Sequence, residues 1–305
     1  MKKKVNFAAL VPLLLLGTSC TTKKSSEESQ METKPIDVVI ISGQSNAVGC
    51  SHSQCLVDSM GIDKFKEYQT GYEEIKISYA CWDKTAEPRY YVQNQSKDFQ
   101  FVKTRLGQGN VTERFGPEIG IAEAMHEKYA DKLFLIKCAC GASCLRDDWA
   151  TGNSIMYLQL LECVANRIQD LKDQGYEPTI RAFCWMQGEG DSGSELYADA
   201  YGDNLEMFVS NLREDLKQYA GNKELPFIDA GISNASPWVY YDRVNNAKKA
   251  FAAKNACNIY IDTIAAGMHT NLEPPGGPDV YHYDSDSEIL LGHLFAEQFE
   301  QFLTK

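Results

Sequence analysis

Five short apolar runs punctuate the chain: IDVVIIS at 36–42, KLFLIKCA at 132–139, TIRAFCWM at 179–186, PFIDAGI at 226–232 and CNIYID at 257–262. They are nearly continuous rather than alternating in polarity, the pattern of strands buried on both faces and therefore of a parallel sheet. Helical periodicity fills the gaps, at 117–130, 155–174, 196–219 and 240–254. A last helix from about Asp286 repeats Leu291, Phe295, Phe299 and Phe302 at three- and four-residue spacing, a stripe that packs it onto the sheet. This alternation predicts an α/β fold: a single doubly wound, mainly parallel sheet between helices. The segment 50–115 fits least well. With scattered aromatics and a possible strand at EIKISYA (74–80), it reads as an insertion near the site.

The 305 residues, 44% of them hydrophobic, suffice for one such domain. The opening, MKKKVNFAALVPLLLLGTSC, has three lysines, an apolar run from Phe7 to Leu16 and small residues ending in Cys20. That run is far shorter than the roughly 20 residues of a membrane-spanning helix, so it reads as an export signal. LGTSC resembles a bacterial lipoprotein cleavage box, which implies removal of 1–19 and acylation of Cys20, although Gly17 stands where Leu, Val or Ala is usual. Ordinary signal cleavage, giving a soluble secreted protein, is the competing reading. The polar TTKKSSEESQMETK that follows suits a flexible tether over 20–35, with the folded domain at 36–305. The expected location is the bacterial cell envelope, lipid-anchored and facing the periplasm or the surface.

Loss of 1–19 removes three lysines and no acids, taking the formal charge from −12 to −15. So acidic a chain is a poor partner for nucleic acid or for an anionic membrane beyond its lipid. Nine cysteines remain after Cys20, an odd number that disulfides alone cannot absorb. Cys50, His52 and Cys55 in CSHSQC could be metal ligands, but no fourth ligand at zinc-site spacing completes them. Burial or a local Cys50–Cys55 disulfide explains them as well, and no metal or cofactor is expected.

Ligands of doubly wound sheets gather at the carboxyl ends of the strands. Those ends carry GQSN (43–46), CGASCLRDDW (140–149) and QGEGD (187–191), and PDVYHYD (278–284) follows the last strand. Ser45 needs a base to act as a nucleophile. Among five histidines, His126 and His293 lie in helical patterns and His269 is possible. His282 is better placed, because Asp279, three residues earlier, can hold its far nitrogen; Asp284 and Asp286 are alternative partners. An oxyanion formed by attack on an ester needs preorganised donors. Gly141 can bring its N–H close without side-chain hindrance, and Gln187 can donate through its amide, whereas ionised Glu189 can only accept. Glu189 and Asp191 hold that loop in shape.

The blocks GQSNAVG (43–49), FGPEIGIAEAM (115–125), IKCACGASCLRDDW (136–149), WMQGEGD (185–191) and DVYHYDSDSEILLGHLFAE (279–297) together resemble the SGNH-type hydrolases. The similar branch holds sialate O-acetylesterase-like and plant carbohydrate esterase-like proteins. The resemblance implies a flavodoxin-like α/β/α sandwich and a serine esterase that removes O-acetyl groups from sugars through an acetyl-enzyme. It assigns Ser45 as nucleophile, His282 as base and Asp279 as its partner, with an oxyanion hole of the Ser45 N–H, the Gly141 N–H and Gln187. Gly141-Ala142-Ser143 replaces the common Gly-Gly-Thr, and Cys140 and Cys144 flank it.

For the sugar, whether acetylated sialic acid or a neutral plant-type glycan, the sequence offers Gln44, Arg146, Trp149 and Glu189 as contacts. Arg146 is the nearest cation for a carboxylate. Trp149, Trp185 and Trp238 lie near strand ends, and at most one is expected to stack on a ring. Two other functions stay open, a non-catalytic glycan-binding surface lipoprotein and a lipase or thioesterase of the same fold.

Overall fold

The computed structural model describes residues 33–85 and 89–304. The signal segment, Cys20 and most of the tether lie outside the described residues. The strands are β1 (Lys34–Gly43), β2 (Ser51–His52), β3 (Tyr72–Asp83), β4 (Tyr91–Gln95), β5 (Val102–Thr104), β6 (Arg114–Phe115), β7 (Leu133–Gly141), β8 (Tyr176–Met186), β9 (Phe227–Ala230) and β10 (Asn258–Ile261).

Six of them form a parallel sheet in the order β10-β9-β8-β1-β7-β3, and β4 and β5 add antiparallel to β3. The fold is the expected mostly parallel sheet flanked by helices. β1 and β7 are buried along nearly their whole length, which is why they read as unbroken apolar runs. β1 begins at Lys34, two residues before the expected domain start.

The segment 50–115 departs from its reading as an insertion. Its strand spans twelve residues and pairs with β7 from Lys76 to Asp83. Exposed Glu73 and Glu74 and half-buried Lys76 and Tyr79 interrupt its apolar residues, so it lacks a continuous run. The remainder of the segment, with the antiparallel β2–β6 pair, does supply residues to the site described below, Cys50, Gln93 and Asn110 among them.

The helices match the periodicity closely, with Ile155–Asp173, Tyr201–Leu216, Tyr241–Ala252 and Ser285–Phe299 flanking the sheet. Leu291, Phe295 and Phe299 are fully buried. The last helix meets Glu118–Met125 backbone to backbone: a Cβ on Gly120 would lie 2.1 Å from the Ile289 carbonyl oxygen, and one on Gly292 2.2 Å from that of Pro117. In register, Gly43 pairs with Ala139 on one side and Met186 on the other. The carboxyl ends of β1, β7 and β8 therefore finish together.

Candidate active site

Ser45 leaves the sheet through a turn that only glycine permits. Gly43 has φ 139°, and a Cβ there would sit 1.9 Å from the Met186 carbonyl oxygen. Gln44 N–H then donates to that oxygen at 2.9 Å, and Ser45, half-buried, opens the short helix Ser45–Val48. The turn is braced from three sides. Gln44 Oε1 accepts from Gly190 N–H at 3.1 Å, Gln187 Nε2 at 3.2 Å and Gly188 N–H at 3.3 Å. Asn46 Nδ2 donates to Glu189 at 2.7 Å, while its Oδ1 accepts from Tyr283 N–H at 3.2 Å, so one side chain joins the serine helix to the histidine loop. Fully buried Lys137 donates to the Val48 carbonyl at 2.9 Å and pairs with fully buried Glu118 at 2.8 Å.

On the loop before the last helix, His282 Nδ1 lies 2.7 Å from Asp279 Oδ2, and Asp279 Oδ1 accepts from Tyr281 N–H at 2.8 Å. Burial alone would raise the Asp279 pKa; its bond to the imidazole outweighs that and brings it to about 2. Burial would likewise lower the His282 pKa, but Cys50 and Asp279 beside the ring hold it above the usual histidine range.

Ser45, His282, Gly141 and Gln44 line one cavity of about 500 Å3 at the carboxyl ends of β1 and β7. No hydrogen bond joins Ser45 to His282 among the described residues; such contacts commonly tighten only when substrate binds. The cavity also takes residues that sequence reasoning missed: Cys50, Asp83, Lys84, Asn110 and Tyr281. Asp83 and Lys84 obey the strand-end rule once β3 is recognised as a full strand. Trp238 completes the wall and packs edge-on against Tyr281, ring centroids 5.6 Å apart.

The description carbohydrate esterase, sialic acid-specific acetylesterase belongs to a family whose model matches residues 35–301. The chain belongs to this family. A probable carbohydrate esterase of Arabidopsis thaliana is 25% identical over 296 residues, covering 93% of this chain and 97% of the relative. An Arabidopsis thaliana crystal structure shares the fold with a TM-score of 0.58 at 21% identity, over 88% of this chain and all of that one. The crystal structure of NanS does so with 0.56 at 14% identity, over 89% and 98%. The protein is a carbohydrate esterase, hence a carboxylic ester hydrolase.

Within this esterase several expected roles change. Gln187 is fully buried and does not line the cavity. Its two amide hydrogens face three acceptors, Asp191 Oδ2 at 2.6 Å, Gln44 Oε1 at 3.2 Å and the Ser143 carbonyl at 3.3 Å, so it braces the turn instead of presenting a free donor to an oxyanion. Glu189, 1% exposed and bonded to Asn46, is likewise a brace and cannot reach a sugar; burial raises its carboxyl pKa. Gln44 reaches the cavity, but its Oε1 is committed to the loop after β8.

Trp149 is fully buried, its N–H bonded to Ser143 Oγ at 2.9 Å and its ring edge-on to Trp185 at 5.2 Å. Neither ring offers the open face that stacking needs, which leaves Trp238 from the three tryptophans. Arg146 is exposed but stacks over Tyr197 at 4.8 Å, outside the cavity. Ala142 sits at φ 56°, the left-handed region where a glycine would be unstrained.

The other histidines have separate partners. His269 pairs with Asp284 at 2.8 Å, His293 with Glu123 at 2.9 Å, and His126 packs on Tyr72 at 4.7 Å. All nine cysteines of the described residues are free thiols, so Cys50 and Cys55 are not bridged. Among the described residues no three metal-ligating side chains converge, the Cys50–His52–Cys55 trio included.

Proposed function

We propose that the protein removes O-acetyl groups from carbohydrates through an acetyl-enzyme formed on Ser45. One observation carries this reading: Ser45 and the Asp279-bonded His282 share a single cavity walled by Gly141. His282 takes the Ser45 proton as the hydroxyl attacks the acetyl carbonyl, and then returns it to the departing sugar oxygen. Asp279 fixes the ring and stabilises the imidazolium. The N–H groups of Ser45 and Gly141 face the oxyanion. Water then releases acetate by the same steps reversed.

The lining supports a short acyl group on a polar alcohol. Among the described residues Val48 and Ala142 are its only aliphatic side chains, while Asp83, Lys84, Gln93 and Asn110 can bond sugar hydroxyls. Trp238 and half-exposed Tyr281 supply the apolar faces on which a sugar ring packs.

The deciding measurement is kcat/KM over a series of acyl esters, with Ser45→Ala as control. A sharp preference for acetyl, abolished in Ser45→Ala, supports the deacetylase. Unchanged hydrolysis by Ser45→Ala removes Ser45 from the chemistry, and a preference for long acyl chains points to a lipase. We further propose export and acylation at Cys20. Fatty-acid labelling of the wild type that is lost in Cys20→Ala supports it, and equal labelling of both refutes it.

A further inference from the structure

A second and larger cavity, about 1050 Å3, adjoins the one that holds Ser45. Three chain segments wall both, each with residues two apart. Cys50 faces the serine cavity and His52 the larger one; Gln93 and Gln95 divide in the same way along β4; Asn110 divides from Gln108 and Thr112. Gln93 lies at the irregularity in the β3–β4 pairing, next to the regularly paired Asn94 and Gln95, so β4 runs from one cavity to the other. The two cavities are therefore neighbours, and His52 of the larger one is close enough to feel the charges of Asp279 and His282.

The larger cavity carries more cations than carboxylates in an acidic chain. Lys97, Lys103 and Arg105 line it, with Glu113 as its only carboxylate among the described residues, in a protein of formal charge −12. None of the three cations has a carboxylate within ion-pair distance among the described residues. Exposed Lys66, Lys132, Lys172, Lys217 and Lys223 are likewise without an ion pair among the described residues, so what marks the groove is that three such cations line one cavity with a single described carboxylate. Half-buried Phe65 and Tyr79 add apolar faces to the groove, and Gln54, Gln69 and Gln95 add side-chain amides. Aromatic faces beside amides suit a carbohydrate, and unpaired cations suit negative charge on it.

We infer that this groove is a subsite for an anionic glycan chain, whose acetylated residue enters the Ser45 cavity while its carboxylate- or sulfate-bearing neighbours lie along Lys97, Lys103 and Arg105. The inference rests on the deacetylase reading for the placement of the acetyl group, but the groove binds the chain whether or not Ser45 reacts.

Binding is therefore measured by calorimetry on the full-length Ser45→Ala protein, with oligogalacturonate, a chondroitin sulfate oligosaccharide and a neutral xylo-oligosaccharide as probes. At low salt an acidic chain should bind about tenfold more tightly than the neutral one. Lys97→Ala/Lys103→Ala/Arg105→Ala in the same background should lose about that factor at an unchanged melting temperature, and so should added salt. A preference between the carboxylated and the sulfated chain identifies the anion. Equal binding of acidic and neutral chains, or undiminished acidic binding by the triple variant, overturns the inference. Ester hydrolysis surviving Ser45→Ala would sink the deacetylase reading and leave these outcomes standing.

Discussion

As hydrogen bonds, Asp279–His282 and Asp284–His269 are nearly indistinguishable, at 2.7 and 2.8 Å between Oδ2 and Nδ1. What separates them is the far side of each imidazole. His269 Nε2 faces the Asp286 carboxylate at 3.4 Å, so acids hold both of its nitrogens. His282 instead borders the cavity that holds Ser45. The acids differ as well. Asp284, 2% exposed, also accepts from Leu272 and Glu273 N–H at 3.1 and 2.9 Å and so pins the turn after His269. A carboxylate–imidazole bond serves a clamp as readily as a proton relay, and the neighbour on the other nitrogen decides which it is.

The largest effects should come from breaking each pair at its histidine. His282→Asn is expected to lower kcat/KM for 4-nitrophenyl acetate by about 10⁴-fold, and His269→Asn by less than about threefold. The reverse order would hand the base to His269. Breaking the acids separates the pairs by kind of damage. Asp279→Asn should cost about 10⁴-fold in rate with little change in melting temperature. Asp284→Ala strands buried N–H groups and should cost about 1–3 kcal/mol of stability, read by denaturant unfolding, while the folded fraction keeps its turnover.

A smaller effect concerns pH. His282 takes a proton only when neutral, so activity should rise with pH through its pKa. Burial lowers that pKa, but Cys50 and Asp279 raise it above the ordinary 6.5, which places the acid limb of the kcat/KM profile above that pH. Cys50→Ala removes one of the raising neighbours and should move the limb to lower pH. His269→Asn should leave the limb in place. A limb that ignores Cys50 would mean that the thiol does not act on the working histidine.

Legibility in the sequence follows the same division between a residue and its surroundings. Parallel strands buried on both faces announce themselves, so β1, β7 and β8 and the residues leaving them could be named. Asp279 and His282 were legible because three residues on one loop keep them within reach. β3 was only half legible, since charged side chains break its apolar pattern, and the lining residues Asp83 and Lys84 went with it. Gln187 shows a subtler failure. A strand end tells where a residue lies but not whether it faces the cavity or the protein interior, and Asp191 and Tyr201 bind both ends of its amide inside. Trp149 failed in the same way, a large apolar ring finding the aromatic core before it finds a ligand.

The smallest effect would fix the meaning of the second pair. Burial works to lower the His269 pKa, but Asp284 and Asp286 win and raise it above 6.5. A histidine whose folded pKa exceeds its unfolded value contributes stability that is fully present below the unfolded pKa, and this is lost as pH rises through the folded one. His269→Asn should therefore destabilise the protein more at pH 5.5 than at pH 8.5. His269 is 40% exposed, so solvent screening limits the difference to a few tenths of a kcal/mol. Denaturant midpoints of wild type and variant at the two pH values resolve it. A difference of opposite sign would mean that His269 is not charged in its clamp, and that Asp284 holds the turn through the backbone alone.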